Sequence, residues 1–167
     1  MTSTNAAAPS AGLSHLDESG QARMVAVTAK PESARGAVAT STVMLCPAAF
    51  VAVRDRSGPK GDAIQVSRIA AISAAKLTSA LIPLCHPVRI TAVQVSAKLD
   101  ELANSVQFVV QVTAFDRTGV EMEALTAASI AALTLYDMTK GIDKGAVIAQ
   151  TKLVRKWGGR SGDFVAP

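Results

Sequence analysis

Hydrophobic and polar residues alternate in the middle of the chain in a pattern that predicts a β-hairpin. Val93, Val95, Ala97 and Leu99 are separated by polar residues, which is the period of two expected of a strand with one buried face. The same period returns over residues 106–112, after the polar turn DELANS. The two segments are therefore predicted to pair as antiparallel neighbours.

Apolar segments elsewhere predict the remaining elements. Runs rich in β-branched residues indicate strands over residues 35–45 and 146–156, and a weaker pattern indicates a short β-like segment over residues 23–30. Helices are predicted where an apolar run contains no break or begins at a proline: residues 47–53, 63–80 and 121–140. Glycine, proline and polar residues indicate loops: residues 54–62, 81–88, 116–119 and 157–162.

The predicted order from residue 35 onward is β, α, β, β, α, β. This order is typical of the ferredoxin-like split βαβ arrangement, an α+β fold with an antiparallel sheet and helices on one face. The other sheet face would be bare in a single copy, so a homo-oligomer is predicted. Residues 1–14 are rich in Ala, Ser and Thr and are predicted to form a disordered tail, followed by a single domain over residues 15–167.

Composition narrows the classes of function. The 167 residues are 49% hydrophobic and 4% aromatic, which is typical of one globular domain. Lys and Arg total 17 against 13 for Asp and Glu, an excess that allows an anionic ligand and does not require nucleic acid. No apolar run reaches the ~20 residues of a membrane span, and the first residues lack a secretory pattern, so a cytoplasmic protein is predicted. Cys46 and Cys85 are predicted to be reduced, and they form no zinc motif.

Three charged residues lie at the end of the predicted helix over residues 121–140 and just beyond it. Asp137, Lys140 and Lys144 are spaced three and four apart, which places them on one helix face. One interpretation is a solvated row of ion pairs. The other is that Lys144 lowers the pKa of Lys140 toward neutrality, so that Lys140 acts as an acid or a base.

Further candidate residues lie in loops and at a helix start. Lys60, in the loop SGPKGD, is either simply exposed or part of a phosphate-binding lid, and His86 lies in a rigid loop between two prolines. Glu121 and Glu123 flank Met122, where they either complement the helix dipole or accept N–H groups of a purine or pterin ring. Cations scattered along the sequence are surface charges or a polyphosphate clamp: Arg23, Lys30, Arg35, Arg68 and Lys156.

Several long strings together point to one family. The strings KGD, RIAAISAAKLTSALIPLCHPV, GVEMEALTAASIAALTLYDMTKGIDKG and KWGGRSGDF closely resemble, in this order, the cyclic pyranopterin monophosphate synthase or MoaC family of molybdenum-cofactor biosynthesis. The resemblance extends from about residue 13 to residue 164. It implies a ferredoxin-like subunit in a hexamer, built as a trimer of dimers.

The resemblance also implies an activity, that of a phosphorus–oxygen lyase. The family converts 3′,8-cyclo-7,8-dihydroguanosine 5′-triphosphate into cyclic pyranopterin monophosphate and pyrophosphate. The substrate is made from GTP by an upstream radical S-adenosylmethionine enzyme. The resemblance implies no cofactor, with Mg²⁺ at most accompanying the substrate phosphates, and neither nucleic acid nor membrane as a partner.

Site residues follow from the resemblance by position. Catalytic roles fall on Asp137, Lys140 and Lys60. Substrate-binding roles fall on a larger set: Leu84, Cys85, His86, Met122, Glu123, Glu121, Arg35, Lys30 and Lys156. No metal ligands are implied. An active site that combines two chains stays open, and in one such arrangement the helix-end cluster and the KGD loop come from different protomers.

Two positions depart from the family's usual pattern. Ala26 occupies a position where aspartate is usual, and Trp157 one where a small residue is usual. Ala26 leaves open a second hypothesis, a catalytically weakened paralogue that binds a purine nucleotide or pterin as a sensor or scaffold. A third hypothesis, RNA binding, requires stacking aromatics on the central strands, where the sequence offers Phe108 and Phe115.

Overall fold

The computed structural model describes residues 15–17, 19–160 and 162–167, so the tail predicted over residues 1–14 lies outside it. The described part of the chain contains five strands and four helices. In chain order they are β1 (Ser33–Met44), α1 (Pro47–Arg54), α2 (Ala63–Lys76), α3 (Thr78–Leu81), β2 (Ile90–Asp100), β3 (Ser105–Asp116), α4 (Glu121–Thr139), β4 (Val147–Trp157) and β5 (Phe164–Val165).

The strands form one antiparallel sheet in the order β2-β3-β1-β4-β5. In the β2–β3 hairpin, Val93 lies opposite Val112 and Leu99 lies opposite Val106, as the alternation of apolar residues predicts. β1 runs through the centre of the sheet between β3 and β4. The predicted α+β class with an antiparallel sheet is confirmed.

The core lies between the sheet and the two long helices. β3 turns alternate residues toward the helices, and Val106, Phe108, Val110 and Val112 are completely buried there. α4 packs on β1, β3 and β4 and on α2. Its buried surface is made largely of alanine, which lets these elements approach closely: Ala124, Ala127, Ala128, Ala131 and Ala132. No helix within the described residues is long and apolar enough to cross a membrane.

The β-like segment predicted over residues 23–30 is not a strand. Its backbone pairs with no strand of the sheet, and the nearest ladder contact is an isolated bridge between Leu16 and Ala22. The Lys30 N–H donates to the Val27 carbonyl at 3.0 Å, which closes a turn at the end of the segment. Both edges of β1 are already occupied by β3 and β4, so β1 has no edge left for this segment.

The single helix predicted over residues 63–80 is also wrong, because the helix breaks at Leu77 into α2 and α3. The Thr78 hydroxyl donates to the Ala74 carbonyl at 3.2 Å, and the Leu77 N–H donates to the same oxygen at 3.0 Å. The Ala74 carbonyl therefore accepts these two local hydrogen bonds, and the regular α-helical hydrogen bonding of α2 ends there. The short strand β5, which pairs with the end of β4, was not predicted.

Candidate active site

The start of α4 forms one wall of a cavity that we call the carboxylate pocket. Its volume is about 460 Å³. The loop between α3 and β2 forms the facing wall, so the pocket brings together two segments singled out in the sequence: Leu84, Cys85 and His86 with Glu121, Met122 and Glu123. Val25 and Val27 add to its lining from the extended segment before β1.

Glu123 is the electrostatic centre of the carboxylate pocket. Its side chain is 3% exposed, and this burial raises its pKa to about 7, with smaller contributions from the charges of Glu121 and Asp116. Burial also raises the pKa of the Cys85 thiol, and the charge of Glu123 adds to the effect. At neutral pH the Glu123 carboxyl is therefore poised between its protonated and ionised forms.

A second cavity, which we call the basic pocket, adjoins the first and has a volume of about 470 Å³. Its cationic lining comes from the segment before β1, from β1 itself, from the turn before α4 and from the end of β4: Lys30, Arg35, Arg117, Lys156 and Arg160. Lys30, Glu121 and the Thr118–Gly119 turn line both pockets. Lys156 Nζ lies 3.1 Å from the Glu121 carboxylate, so this ion pair marks the border between them.

Arg35 shapes the basic pocket as well as lining it. Its Nε donates to the Asp116 carbonyl at 2.8 Å, and its Nη2 donates to the Arg117 carbonyl at 3.1 Å. These bonds hold the turn before α4 against β1. Gly159 has a φ of +79°, which glycine adopts readily, and a Cβ there would collide with the Arg35 guanidinium. Both the backbone conformation and the lack of space therefore favour glycine at this position. The buried Arg117 Nε makes no hydrogen bond among the described residues but lies 3.8 Å from the Glu32 carboxylate, so this guanidinium is partly neutralised.

The opposite end of α4 carries a separate group, the α4-end cluster, formed by Lys60, Asp137 and Lys140. Lys60 Nζ donates to Asp137 Oδ2 at 2.7 Å and to the Asp137 carbonyl at 3.0 Å. Lys140 Nζ lies 2.7 Å from Asp137 Oδ1. The hydrogen bonds from Lys140 and Lys60 lower the pKa of Asp137 to about 2, and Asp137 in turn raises the pKa of Lys140.

Two interpretations of this cluster are wrong, and a third possibility is not required by the structure. Lys144 does not share a helix face with Asp137, because α4 ends at Thr139 and the Lys144 carbonyl instead accepts a hydrogen bond from the Tyr136 hydroxyl at 3.1 Å. The pKa of Lys140 is raised by Asp137 rather than lowered toward neutrality. Lys60 of the KGD loop meets Asp137 within one chain, so the two segments do not need different protomers.

The predicted site residues thus divide into two groups at the two ends of α4. Asp137 follows Glu121 by 16 residues along this helix, which corresponds to about 24 Å at ~1.5 Å per residue. The substrate-binding candidates line the two adjoining pockets, whereas the catalytic candidates form the α4-end cluster. Arg23 and Arg68 line neither pocket. Of the five cations considered for binding a polyphosphate, the three that line the pockets are Lys30, Arg35 and Lys156.

The two positions that depart from the family pattern have distinct surroundings. Ala26 is exposed and lines neither pocket, in contrast to its neighbours Val25 and Val27. Trp157 lies opposite Gly36 in the sheet, and its ring occupies the space that a Cβ on Gly36 would need. Trp157 also lines the basic pocket, and the Arg155 guanidinium lies 5.1 Å from the ring centroid, within cation–π range.

Some lining residues were missed by sequence reasoning. Arg117 and Arg160 belong to the basic pocket, and both stand close to glycines in short turns, a signal that could have drawn attention to them. His15 and Thr118 contribute to the carboxylate pocket without any motif of their own. Over the described ranges, no group of three or more His, Cys, Asp or Glu side chains is arranged to hold a metal ion.

Comparison with known proteins places the chain in a family. Among solved structures, a mutant of the ferredoxin protease FusC in complex with Arabidopsis ferredoxin is 18% identical, with a TM-score of 0.33 over 62% of this chain and 10% of that chain. The present chain thus spans about a tenth of that protein's length. A family model described as the MoaC family matches residues 24–159, most of the chain. The chain therefore belongs to the MoaC family, whose members act in molybdenum-cofactor biosynthesis.

Proposed function

We propose that this chain is a cyclic pyranopterin monophosphate synthase, a lyase that acts on 3′,8-cyclo-7,8-dihydroguanosine 5′-triphosphate and releases pyrophosphate. The observation that carries the proposal is the pair of adjoining pockets with Glu121 at their border. A purine-derived ring joined to a triphosphate needs two such compartments, one that accepts ring N–H groups and one that neutralises phosphates.

The carboxylate pocket suits the ring. Glu123, whose pKa is about 7, accepts N–H donors in its ionised form, and Leu84 and Met122 supply apolar contact. The basic pocket suits the triphosphate, because Lys30, Arg117 and Arg160 present cations there. Mg²⁺ would bind through the substrate phosphates rather than through a set of protein ligands.

The α4-end cluster supplies charge stabilisation. With its pKa lowered to about 2, Asp137 is ionised at neutral pH, while the raised pKa of Lys140 keeps this lysine protonated. Lys140 is thus a fixed cation that can stabilise negative charge on the substrate by hydrogen bonding, and Lys60 adds a second ammonium for the developing charge on pyrophosphate. The exposure of all three side chains leaves them accessible to a ligand.

A second copy of the chain completes the active site in this proposal. The helix between the two groups is about 24 Å long and packed along its length, so the cluster cannot swing to the pockets of its own chain. A homo-oligomer, a hexamer as in the resembled family, would bring the cluster of one chain to the pockets of another. The strand order β2-β3-β1-β4 and the helices packed on the sheet support the ferredoxin-like assignment of each subunit.

The test is product formation from the purified triphosphate substrate, followed by pyrophosphate release and by fluorescence of the oxidised pterin. Lys140→Ala is the inactive control, and Ala26→Asp restores the residue usual in the family. Turnover that disappears in Lys140→Ala supports the synthase. Tight substrate binding without turnover in both the parent and Ala26→Asp would favour the sensor hypothesis instead.

The shared active site has its own test. Lys140→Ala, altered in the α4-end cluster, and Lys156→Ala, altered in the basic pocket, are each expected to be inactive alone. Mixed under conditions of subunit exchange, they form some sites with both halves intact, so activity returns. A mixture of Lys60→Ala and Lys140→Ala is the matched control, because both changes fall in the same cluster. Exchange without recovery in the first mixture would contradict the composite site.

RNA binding is not supported. Phe108 is completely buried beneath the helices, where it cannot stack on a base, and Phe115 alone remains exposed of the two candidate aromatics. The sensor hypothesis depended on Ala26. This residue lies outside both pockets, so the structure gives no pocket contact that favours the sensor hypothesis.

A further inference from the structure

Asp143 joins two segments that are far apart in the sequence. Its Oδ2 accepts a hydrogen bond from the Cys46 N–H at 2.6 Å, and its Oδ1 accepts one from the Gly145 N–H at 2.9 Å. Cys46 is the N-cap residue of α1 and makes no side-chain capping bond of its own. The half-buried Asp143 carboxylate thus uses both oxygens to tie the loop after α4 to the start of α1.

The same loop ends α4 in a defined way. The N–H groups of Ile142 and Asp143 both donate to the Thr139 carbonyl, at 2.8 and 2.9 Å. The Tyr136 hydroxyl reaches over to the Lys144 carbonyl at 3.1 Å. Together these bonds wrap the loop around the last turn of α4, whose C-cap residue is Lys140.

We propose that Asp143 is a positioning residue, which fixes the last turn of α4 and thereby the geometry of the α4-end cluster. The α1 side of the tether is firm, because Ala49, Phe50 and Val53 anchor α1 in the core. α1 leads into the loop that carries Lys60, so the tether holds together the two elements whose side chains meet at Asp137. The effect on turnover rests on the proposed function, whereas the geometric effect does not.

Removal of the carboxylate frees the loop. In Asp143→Ala the Cys46 N–H and the Gly145 N–H lose their acceptor, and the last turn of α4 is expected to fray. Lys140 then spends less time at Asp137, and its hydrogen bond is the largest cause of the low Asp137 pKa. We expect the Asp137 pKa to rise from about 2 by about one pH unit.

The experiment is a ¹³C NMR titration of the Asp137 carboxyl in the full-length protein. Asp143→Asn keeps the side-chain volume and one oxygen acceptor, so it should raise the Asp137 pKa less than Asp143→Ala does. It also replaces the alanine variant if that variant folds poorly. Asp100→Ala is the matched control. Asp100 accepts two backbone N–H groups at 3.0 Å in the β2–β3 turn, so this variant loses the same kind of bonds far from α4.

The outcomes decide the proposal. A raised Asp137 pKa in Asp143→Ala, with no change in Asp100→Ala, supports it. An Asp137 pKa that stays at about 2 in both Asp143 variants overturns it, as does an equal rise in Asp100→Ala. Turnover is measured alongside, and kcat should fall about 100-fold in Asp143→Ala while KM stays within a few-fold. If the parent lacks synthase activity but the Asp137 pKa responds, the proposed function fails and the positioning role stands.

Discussion

Glu123 lowers the stability of the folded chain at neutral and higher pH. Its carboxyl has a pKa of about 7 in the folded protein, against an ordinary value of 4.5, because it is buried in the carboxylate pocket. The difference of about 2.5 pH units corresponds to about 3.5 kcal/mol at ~1.4 kcal/mol per unit. Since the folded state holds the proton more tightly, the benefit of protonation is present below pH 4.5 and is lost as the pH rises through 7.

The substitution Glu123→Gln removes this dependence, because the amide has nearly the shape of the protonated acid and cannot ionise. We expect equal stabilities near pH 4.5 and a variant that is more stable by about 3 kcal/mol at pH 8. The measurement is the free energy of unfolding from denaturant titrations between pH 4.5 and 8.5, at one fixed protein concentration.

Glu121→Gln provides the matched control for Glu123→Gln. Glu121 lies in the same turn of α4, but its carboxylate is paired with Lys156 at 3.1 Å, so its removal should not stabilise the protein as the pH rises. If the difference between the parent and Glu123→Gln stays constant from pH 4.5 to 8.5, Glu123 is not held in its protonated form by burial.

Three further predictions concern stability and are checked by denaturant unfolding. Phe108→Ala should cost about 4 kcal/mol, because the ring is completely buried and its loss leaves a cavity; a loss below about 1 kcal/mol would contradict this packing. Gly36→Ala should cost about 2 kcal/mol through its collision with the Trp157 ring, and Trp157→Ala in the same chain should remove most of that cost. Asp62→Ala should cost about 1 kcal/mol, because the carboxylate accepts the Gln65 N–H at the start of α2, and an Asn at the same position should restore most of the loss.

Much of the sheet was predictable because its signals are local. In β2 and β3, alternation of apolar residues fixes which face is buried, and a short polar turn fixes their pairing. The segment over residues 23–30 has a similar composition, but both edges of the neighbouring strand β1 are taken by β3 and β4, and this depends on the whole sheet. The break at Leu77 depends on a Thr78 side chain that competes for a backbone carbonyl, and composition does not show that competition.

The α4-end cluster shows why residue spacing predicts a site incompletely. The pair of Asp137 and Lys140 follows from an i, i+3 spacing within one helix, and the structure contains it. The contact from Lys60 bridges 77 positions of sequence, and no local pattern encodes it. Lys144 was assigned to the cluster on the assumption that the helix continues, whereas the Thr139 carbonyl takes the N–H groups of two following residues and ends α4 first.

The charges that surround Lys140 in the α4-end cluster depend on where α4 ends. Because α4 ends before Lys144, the charge in contact with Lys140 is the Asp137 carboxylate rather than a second ammonium, so the pKa of Lys140 moves upward. Neither a base nor a ready proton donor at neutral pH is then available from this lysine, but a permanently charged ammonium that stabilises negative charge is. A pH profile of the proposed reaction should accordingly show no loss of rate from Lys140 deprotonation between pH 6 and about 9. A basic limb in that interval that disappears in Lys140→Arg would show that Lys140 titrates there after all.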